Sequence, residues 1–380
     1  MKSATLAFAA VCLLASQASA STFDAYFGFG DSTIDSGWWK GALNGQCGQV
    51  ASSCITGNSS KDAKIAAAIT NGGTGAPVGV GLMSSQVLAA DFGLTAIPAK
   101  QTNGTNYAIS GALSARELGY GPLQNPAVQY GNLNPNVNLP STVEQIQTYL
   151  GTHFNTADPN AIYEISSGGN DRTYVQENPS FTTLAQKENF LSTQAQALAS
   201  AIQSLATAGA KTILVRGAPA TGTLATVWTS DLFADLSALN VNFIQVDMAS
   251  LVQTVDNNPA HYGFTAATVL PGVAGAGSNT TSACVAGAGA SGWGQWCADT
   301  TTPDPNGKYS RLRSADSEQH SFYSDDQHFS AAGQKIVADY EYELLNPAPL
   351  PSTLPLFVSG IAALGLLGWH RKKKTAAFAA

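Results

Sequence analysis

The order of its apolar runs most constrains what this chain can fold into. Short runs rich in β-branched and aromatic residues alternate with longer segments of helical spacing. The strand candidates are Tyr26–Phe29, Tyr107–Ser110, Ala161–Ser166, Thr212–Arg216 and Phe243–Asp247. The helix candidates are Ser84–Phe92, Ser141–Leu150, Phe181–Ala208 and Ser330–Leu345. This alternation predicts an α/β fold, a three-layer α/β/α sandwich with a mainly parallel sheet of about five strands.

Long loops are expected over the carboxyl edge of this sheet. Trp38–Val80 is rich in Gly, Ser, Asn and Thr, and Pro271–Ser324 is a second loop-rich stretch. Loops of this length are usually functional or disordered. We interpret both as ordered loops that cover a site, with simple surface excursions as the alternative.

The distribution of charge excludes one class of partner. The chain has 380 residues, of which 18 are basic and 25 acidic, and five of the basic residues lie at the ends, at Lys2 and Arg371–Lys374. The body therefore has 13 basic residues against 25 acidic ones. Nucleic-acid backbones need clustered Lys and Arg, so we expect no nucleic-acid partner.

The N-terminal segment is typical of an export signal. Met1-Lys2, the apolar run Leu6–Ala15 and the small residues Ala18-Ser19-Ala20 form the three regions of a secretory signal. Residues 1–20 are therefore predicted to be removed, with a first core helix as the alternative. The folded body is then residues 21–346, exported from the cytoplasm.

The C-terminal segment, residues 347–380, combines three features. Prolines at 347, 349, 351 and 355 accompany an apolar run, Leu354–Trp369, and the basic group Arg371–Lys374 follows it. This combination resembles the PEP-CTERM sorting signals of Gram-negative envelopes, with Pro349-Leu350-Pro351 in place of the usual Pro-Glu-Pro. The resemblance implies a sorting protease and transient membrane contact through 354–369. A retained membrane anchor is the alternative.

Four cysteines remain once the signal is removed: Cys47, Cys54, Cys284 and Cys297. Four cysteines in an oxidising compartment allow three pairings, and short loops favour Cys47 with Cys54 and Cys284 with Cys297. Neither pair has histidine partners or the spacing of a zinc site. We therefore interpret them as structural disulfides and expect no metal.

A serine follows the first predicted strand. Gly30 permits a tight turn, and Ser32 then lies at the carboxyl edge of the sheet, where open α/β sheets bind ligands. Gly-Asp-Ser alone is also an ordinary turn. A serine nucleophile needs a base. Of five histidines, only His328 has carboxylates two and three residues before it, Asp326 and Asp325, and a capped helix two residues after it.

Two more strand ends offer hydrogen-bond donors. Gly111 directly follows a strand candidate, so its backbone N–H can approach a ligand. Asn170 follows the next strand candidate, and its amide donates a hydrogen bond without adding charge. Each segment by itself is also an ordinary turn after a strand.

These pieces occur in order, and together they resemble the GDSL, or SGNH, hydrolase family. The matching blocks are Gly30-Asp31-Ser32, Gly111, Gly168-Gly169-Asn170-Asp171 and Asp325-Asp326-Gln327-His328. The resemblance covers Phe23 to Leu345, and the segment Asn258–Phe264 is similar to one in the longer, lipase-like members. It implies the SGNH, flavodoxin-like form of the sandwich.

The resemblance also implies a role for each residue. Ser32 would be the nucleophile, His328 the base and Asp325 the carboxylate that orients the base. The backbone N–H groups of Ser32 and Gly111, with the Asn170 side chain, would form the oxyanion hole. No cofactor is expected.

Two positions depart from the family pattern. Thr33 stands where leucine is usual, and Ser110 stands where the second block often has glycine. Neither change is expected to remove chemistry. Asp31, Asp171 and Asp326 are interpreted as residues that support turns.

The function predicted from these residues is an exported serine esterase or lipase that cleaves carboxylic esters through an acyl-enzyme on Ser32. Its substrates would be small-molecule, lipid or glycan esters. A carbohydrate O-acetyl esterase or an acyltransferase of the cell envelope is the enzymatic alternative. The alternative from another class is a catalytically idle SGNH domain that binds envelope material.

Overall fold

Four parallel strands form the main sheet. They are β1 (Tyr26–Gly30), β2 (Ile162–Ser166), β3 (Thr212–Arg216) and β4 (Ile244–Val246), in the order β1-β2-β3-β4. In the register, Phe29 lies opposite Ile165, and Ile165 lies opposite Val215. The carboxyl ends of β1 and β2 are therefore adjacent, which brings the segments after Gly30 and Ser166 together.

This computed structural model describes residues 23–37, 81–99, 102–116, 140–219, 222–264, 282–285, 297–298, 301–302, 310–324 and 328–346. One compact unit spans Thr22–Leu344, and the fold described below belongs to it. A second unit comprises Met1–Ser21 and Leu345–Ala380. Of that unit, only residues 345 and 346 are described.

The predicted strand Tyr107–Ser110 differs from expectation. The segment runs parallel to β1 on the edge opposite β2, where Tyr107 N–H donates to Gly28 O at 2.7 Å and Ile109 N–H donates to Gly30 O at 2.9 Å. Its pairing is an isolated bridge between Gly28 and Asn106. Gly30 N–H, which a regular parallel ladder would pair with Tyr107 O, donates instead to the Gln145 side chain at 2.7 Å. In the described residues the main sheet thus has four strands and one bridged segment, where the sequence predicted five strands.

Eight α-helices occur in the described residues. They are α1 (Ser84–Asp91), α2 (Thr142–Thr152), α3 (Gly169–Glu177), α4 (Leu184–Thr207), α5 (Thr223–Ala238), α6 (Met248–Asn257), α7 (Ser317–His320) and α8 (Ala331–Leu345). A 3₁₀ turn follows α6 at Pro259–Tyr262. A small second sheet, in the order β5-β7-β6, contains β5 (Cys284–Val285), β6 (Cys297–Ala298) and β7 (Ser310–Leu312).

The four helices predicted from the sequence are confirmed as α1, α2, α4 and α8. The capping box is confirmed as well, since Ser141 N–H donates to the Glu144 carboxylate at 2.7 Å and Glu144 N–H donates to Ser141 Oγ at 3.3 Å. A second box, between Thr183 and Gln186, starts α4. That cap explains why α4 begins at Leu184 and not at Phe181.

The two faces of the sheet have different contents. On one face, strand residues such as Phe29, Ile165 and Val215 pack with α2, α4 and α5 in one apolar cluster. On the other face, Arg216 of β3 contacts Glu341 of α8. One side of the sheet is therefore held by apolar packing, whereas the other includes a buried charged group.

Several predictions lie outside the described residues. They concern the signal segment, the Trp38–Val80 loop, most of Pro271–Ser324 and the C-terminal segment, together with Cys47, Cys54 and the side chain of Cys297. The disulfide pairings therefore stay predictions. Within the described ranges, no helix is long and apolar enough to cross a membrane.

Candidate active site

The end of β1 is fixed by contacts with its neighbours. A Cβ atom added to Gly30 would lie 1.8 Å from the carbonyl oxygen of Ser166, so only glycine fits there. The buried Gln145 side chain of α2 binds both backbone groups of this glycine. Gly30 N–H donates to Oε1 at 2.7 Å, and Nε2 donates to Gly30 O at 3.0 Å. These contacts set the direction in which the chain leaves β1 toward Ser32.

The turn that carries Ser32 is closed by its own side chains. Asp31 Oδ1 accepts from Thr33 N–H at 3.0 Å and from Thr33 Oγ1 at 2.7 Å. The Thr33 hydroxyl also lies 2.6 Å from Ser166 Oγ. Ile34 O accepts from Asn106 Nδ2 at 2.7 Å, which ties the far end of the turn to the segment beside β1.

Ser32 and His328 are brought together from distant parts of the chain. Ser32 Oγ lies 2.8 Å from His328 Nε2, within hydrogen-bond distance. A backbone hairpin positions the histidine, because Ser324 N–H donates to His328 O at 2.8 Å and Tyr323 forms a bridge with Phe329. The helix α8 starts three residues later. Asp325 and Asp326 lie outside the described residues.

Asp31 is a buried acid beside this pair. Burial raises its pKa above the usual value, while the Thr33 hydrogen bonds and the nearby charges of His328 and Arg216 partly counter the rise. Asp31 is the sequence neighbour of Ser32, and its side-chain hydrogen bonds go to Thr33 in the same turn. The prediction that Asp31 supports the turn agrees with these contacts.

The Asn170 side chain lies beside the segment that contains Gly111. Asn170 is in the first turn of α3, and its Nδ2 donates to Ala112 O at 3.0 Å. The amide nitrogen carries a second hydrogen that this bond does not use. Gly111 has a left-handed backbone, with φ of 91°. The two predicted donor segments are thus in direct contact.

Gly168 lets the start of α3 approach the rest of the fold closely. Its φ is 104°, and an added Cβ atom would lie 2.2 Å from the ring of Trp228. Trp228 is buried in α5. The indole therefore packs directly on the backbone that begins the Asn170 turn.

The sequence did not identify two buried acid–serine pairs next to these donors. Asp35 Oδ2 accepts from Ser110 N–H at 2.8 Å and from Ser110 Oγ at 2.7 Å. Asp171 Oδ2 accepts from Ser114 N–H at 3.0 Å and from Ser114 Oγ at 2.8 Å. Burial raises the pKa of Asp171 to about 7, although the Ser114 hydrogen bonds lower it. The sequence offered one signal for these pairs, which is that the polar residues Ser110 and Ser114 lie on both sides of Gly111.

A charged cluster lies under the Ser32 turn. Arg216 Nε and one terminal nitrogen donate to the Glu341 carboxylate at 2.6 and 2.7 Å, and the guanidinium also contacts Glu164 at 2.5 Å. Tyr26 donates to Glu164 at 2.5 Å. Arg216 reaches the turn as well, since it donates to Thr33 O at 3.5 Å.

The cluster contains two carboxylates and one guanidinium, all fully buried. Burial raises the pKa of Glu341 to about 8; Arg216 lowers it, and the Glu164 charge adds to the rise. Burial alone would lower the pKa of Arg216, but the two carboxylates outweigh burial and raise it. The sequence did not identify this cluster, because its members come from four separate elements.

The described part of the chain has no group of three or more His, Cys, Asp or Glu residues that could hold a metal ion. Its polar groups at the candidate site are hydroxyls, an imidazole, an amide and carboxylates. Such groups suit nucleophilic acyl transfer, in which a hydroxyl attacks a carbonyl and an imidazole accepts its proton.

Two curated proteins are similar to parts of the chain. "Lipase 1" of Photorhabdus luminescens is 29% identical over 135 residues, which is 36% of this chain and 17% of that protein. An "Uncharacterized protein in trpE-trpG intergenic region" of Pseudomonas putida is 26% identical over 213 residues, 52% of this chain and 31% of that protein. The chain thus spans less than a third of the length of each relative.

A family model gives the broader match. It is the model of the "GDSL-like Lipase/Acylhydrolase" family, and it matches residues 26–341. The match begins in β1 and ends in α8, so it includes both Ser32 and His328. The chain belongs to the GDSL-like lipase/acylhydrolase family.

Proposed function

We propose that the protein is a serine esterase in which Ser32 forms the acyl-enzyme. The observation that carries this proposal is the 2.8 Å contact between Ser32 Oγ and His328 Nε2. Ser32 Oγ would attack the ester carbonyl carbon while His328 Nε2 takes the hydroxyl proton. The protonated imidazole then gives that proton to the departing alcohol. Water, deprotonated by the same imidazole, attacks the acyl-enzyme and releases the acid and Ser32.

The negative oxygen formed in each attack needs donors. We assign this role to the backbone N–H groups of Ser32 and Gly111 and to the Asn170 amide. Support comes from the contact of Asn170 with Ala112, which keeps the amide beside the residue that follows Gly111. The free second hydrogen of the amide is the one that would serve the substrate oxygen.

Asp325 is proposed as the carboxylate that orients His328. Its position three residues before the base supports this role. The neighbouring Asp326 provides a matched comparison. Asp325→Ala should reduce kcat by about 10³-fold or more, whereas Asp326→Ala should leave kcat nearly unchanged. An equal loss in both variants would show that the wrong carboxylate was chosen.

The test of the nucleophile uses the full chain. The wild-type chain should hydrolyse nitrophenyl esters and be labelled by a fluorophosphonate, and Ser32→Ala should abolish both hydrolysis and labelling. Ser36→Ala is the matched control, because Ser36 is a buried serine of the same turn whose hydroxyl has no hydrogen-bond partner in the described structure. Unchanged labelling of Ser32→Ala would remove Ser32 from its role, and a wild-type chain without turnover would favour the idle binding domain.

The ester that the enzyme cleaves is proposed to be an acyl ester of a lipid or small alcohol. The name of the Photorhabdus relative, Lipase 1, supports this choice. Rates on acetyl, butyryl and long-chain acyl esters would distinguish it from a carbohydrate O-acetyl esterase, which should accept acetyl groups alone. An acyltransferase would give a new ester when an alcohol is added.

The remaining proposals concern architecture and location. Contacts of α2, α4 and α5 with one face, and of α8 with the other, support a three-layer sandwich. The sequence patterns of residues 1–20 and 347–380 support export to a Gram-negative envelope. A mature N-terminus at Ser21, found by mass spectrometry, would agree with export, and an intact Met1 would contradict it. Peptide mapping without reduction would reveal the disulfide pairs.

A further inference from the structure

Gly111 lies in a short segment, residues 110–114, that is held on both sides by aspartates. On one side Ser110 gives both its N–H and its hydroxyl to Asp35, at 2.8 and 2.7 Å. On the other side Ser114 gives both groups to Asp171, with N–H at 3.0 Å and hydroxyl at 2.8 Å. The same pattern thus occurs twice, once before and once after the glycine.

The four residues of these two pairs are almost completely buried. Asp35, Ser114 and Asp171 have 0% of their surface exposed, and Ser110 has 5%. Hydrogen bonds to a buried carboxylate are stronger than those between neutral groups, and removing one partner leaves a buried group unsatisfied. Each pair is therefore a stiff connection, not a surface contact.

The two aspartates come from the two elements that carry the other proposed catalytic groups. Asp35 ends the turn of Ser32, where its N–H donates to Asp31 O at 3.1 Å and its Oδ1 accepts from Gly37 N–H at 2.8 Å. Asp171 follows Asn170 in the first turn of α3. One pair thus joins the 110–114 segment to the nucleophile, and the other joins it to the amide donor.

We propose that Asp35 and Asp171 are positioning residues that set the spacing of the oxyanion donors by holding segment 110–114 between the Ser32 turn and α3. The inference rests on the proposed function, since it assigns a purpose to the spacing of groups that the proposed mechanism uses. Neither aspartate touches the reacting atoms. Their loss should lower kcat with little change in KM, because the donors act on the transition state and not on the bound ester.

The variants follow from the geometry. Asp35→Asn and Asp171→Asn remove the negative charge and replace one of the two acceptor oxygens with an NH₂ group, so the hydrogen bonds to the remaining oxygen lose their charge assistance. Asp35 then loses either the Ser110 bonds or the Gly37 bond, and Asp171 loses its second contact with Ser114 N–H, at 3.2 Å. Each variant should lower kcat by about 10- to 10²-fold, less than the removal of a whole donor. Ser110→Ala and Ser114→Ala remove the hydroxyl and keep the backbone bond to each aspartate; Ser114→Ala also removes a contact with Ser167 Oγ at 2.8 Å. These two variants should fold even if the asparagine variants do not, and kcat should fall by about 3- to 10-fold.

The double variant Asp35→Asn/Asp171→Asn separates positioning from general stability. Both pairs hold the same segment, so once one is lost the second should matter less. We expect kcat of the double variant to lie within about 3-fold of the worse single variant, while the decreases in Tm add. Losses in kcat that multiply in the double variant would mean that the two aspartates act independently, which would overturn their shared hold on segment 110–114.

Asp231→Asn is the matched control. It breaks another aspartate–serine bond, that of Asp231 with Ser192, which joins α4 to α5 away from segment 110–114. Its Tm should fall, and its kcat should stay within about 2-fold of the wild type. A loss of kcat equal to that of Asp171→Asn would overturn the proposal.

Amide hydrogen exchange distinguishes failure of the inference from failure of the proposed function. Exchange in peptides that cover residues 105–116 should rise in both aspartate variants. If the wild type hydrolyses esters through Ser32 but both variants keep its kcat, the positioning role is overturned and the esterase stands. If the wild type has no Ser32-dependent turnover, the esterase is overturned and the catalytic role of the two aspartates falls with it. Unchanged exchange would overturn the clamping contacts themselves.

Discussion

Asp31 and Asp171 occupy similar positions and are used differently. Each is a buried acid at the carboxyl end of one of two adjacent strands, and each is next in sequence to a proposed catalytic residue, Ser32 or Asn170. One oxygen of Asp31, Oδ1, takes both Thr33 hydrogen bonds. Asp171 uses both oxygens, and its partner Ser114 lies 57 residues away.

The difference shows two ways to stabilise a catalytic turn. The Asp31 turn closes within three residues, so its local shape depends mainly on local sequence. The Asp171 turn takes its position from a segment that belongs to another part of the chain. A substitution at the first acid should therefore act on one turn, whereas a substitution at the second should act on the spacing between two.

The largest effect is expected from replacing Arg216, which lies under the Asp31 turn. Arg216→Met leaves the buried Glu164 and Glu341 without their common partner, so the free energy of unfolding should fall by about 3–5 kcal/mol. Urea unfolding would measure it. Lys335→Met, which breaks the exposed pair with Asp339, is the control and should cost at most about 1 kcal/mol. Similar losses in both variants would mean that the buried cluster contributes no more to stability than an exposed ion pair.

The next test concerns the donor on the Asp171 side. Asn170→Ala removes the amide that contacts Ala112 and should lower kcat by about 10²- to 10³-fold, equal to about 2.7–4 kcal/mol. Steady-state kinetics on a nitrophenyl ester would measure this loss. Asn160→Ala is the control, since its exposed amide bonds only to Asp24 in the described structure. Wild-type kcat in Asn170→Ala would leave Asp171 with no donor to position.

These contrasts also explain how much the sequence could reveal. The four strands of the main sheet, the four periodic helices and the Ser141 capping box follow local rules, and the sequence predicted them. The fifth predicted strand, Tyr107–Ser110, is only a bridged segment. The contact between Ser32 and His328 was predicted from motif order and chemistry, across 296 residues. Helix α3 was missed because Gly169-Asn170-Asp171 has the composition of a turn.

Local sequence patterns could not predict the long-range polar contacts. Asp35 and Ser110 are 75 residues apart, and although polar residues flank Gly111, the local sequence does not identify Asp35 as the partner of Ser110. The two departures from the family pattern, Thr33 and Ser110, turn out to bond the two acids of the Ser32 turn, Asp31 and Asp35. Single positions that looked like neutral changes are therefore partners of buried acids, which only the fold reveals.

The pH dependence of stability provides a test of the buried Asp171 carboxyl group. Its pKa is about 7 in the folded protein, above the usual 3.8, so between these values the folded state keeps a proton that the unfolded state releases. The contribution to stability is complete below about pH 4 and is lost as the pH rises to about 7. Asp171→Asn should remove this dependence, at most about 1.4 kcal/mol per pH unit.

The measurement is the unfolding free energy of both proteins in urea at several values between pH 5 and pH 8. The wild type should lose stability relative to Asp171→Asn as the pH rises. Asp24→Asn, at an exposed acid, serves as the control and should run parallel to the wild type. A difference that grows in the opposite direction would show that the Asp171 pKa is lowered in the folded protein.

The smallest expected effect tests the comparison directly. Asp31→Asn keeps an Oδ1 atom that can accept both Thr33 bonds, so the turn should retain its shape. Only the charge near His328 is lost. The decrease in kcat/KM should stay below about 10-fold, or about 1.4 kcal/mol, and should be smaller than that of Asp171→Asn on the same ester.

Thr33→Val, which removes the hydroxyl but keeps the acid, should lower Tm by an amount equivalent to about 1 kcal/mol and change kcat little. If Asp31→Asn lowered kcat/KM more than Asp171→Asn does, the hydrogen bonds of Asp31 to Thr33 would not be its main contribution to the Ser32 turn. The charge of Asp31 beside His328 would then be its main contribution.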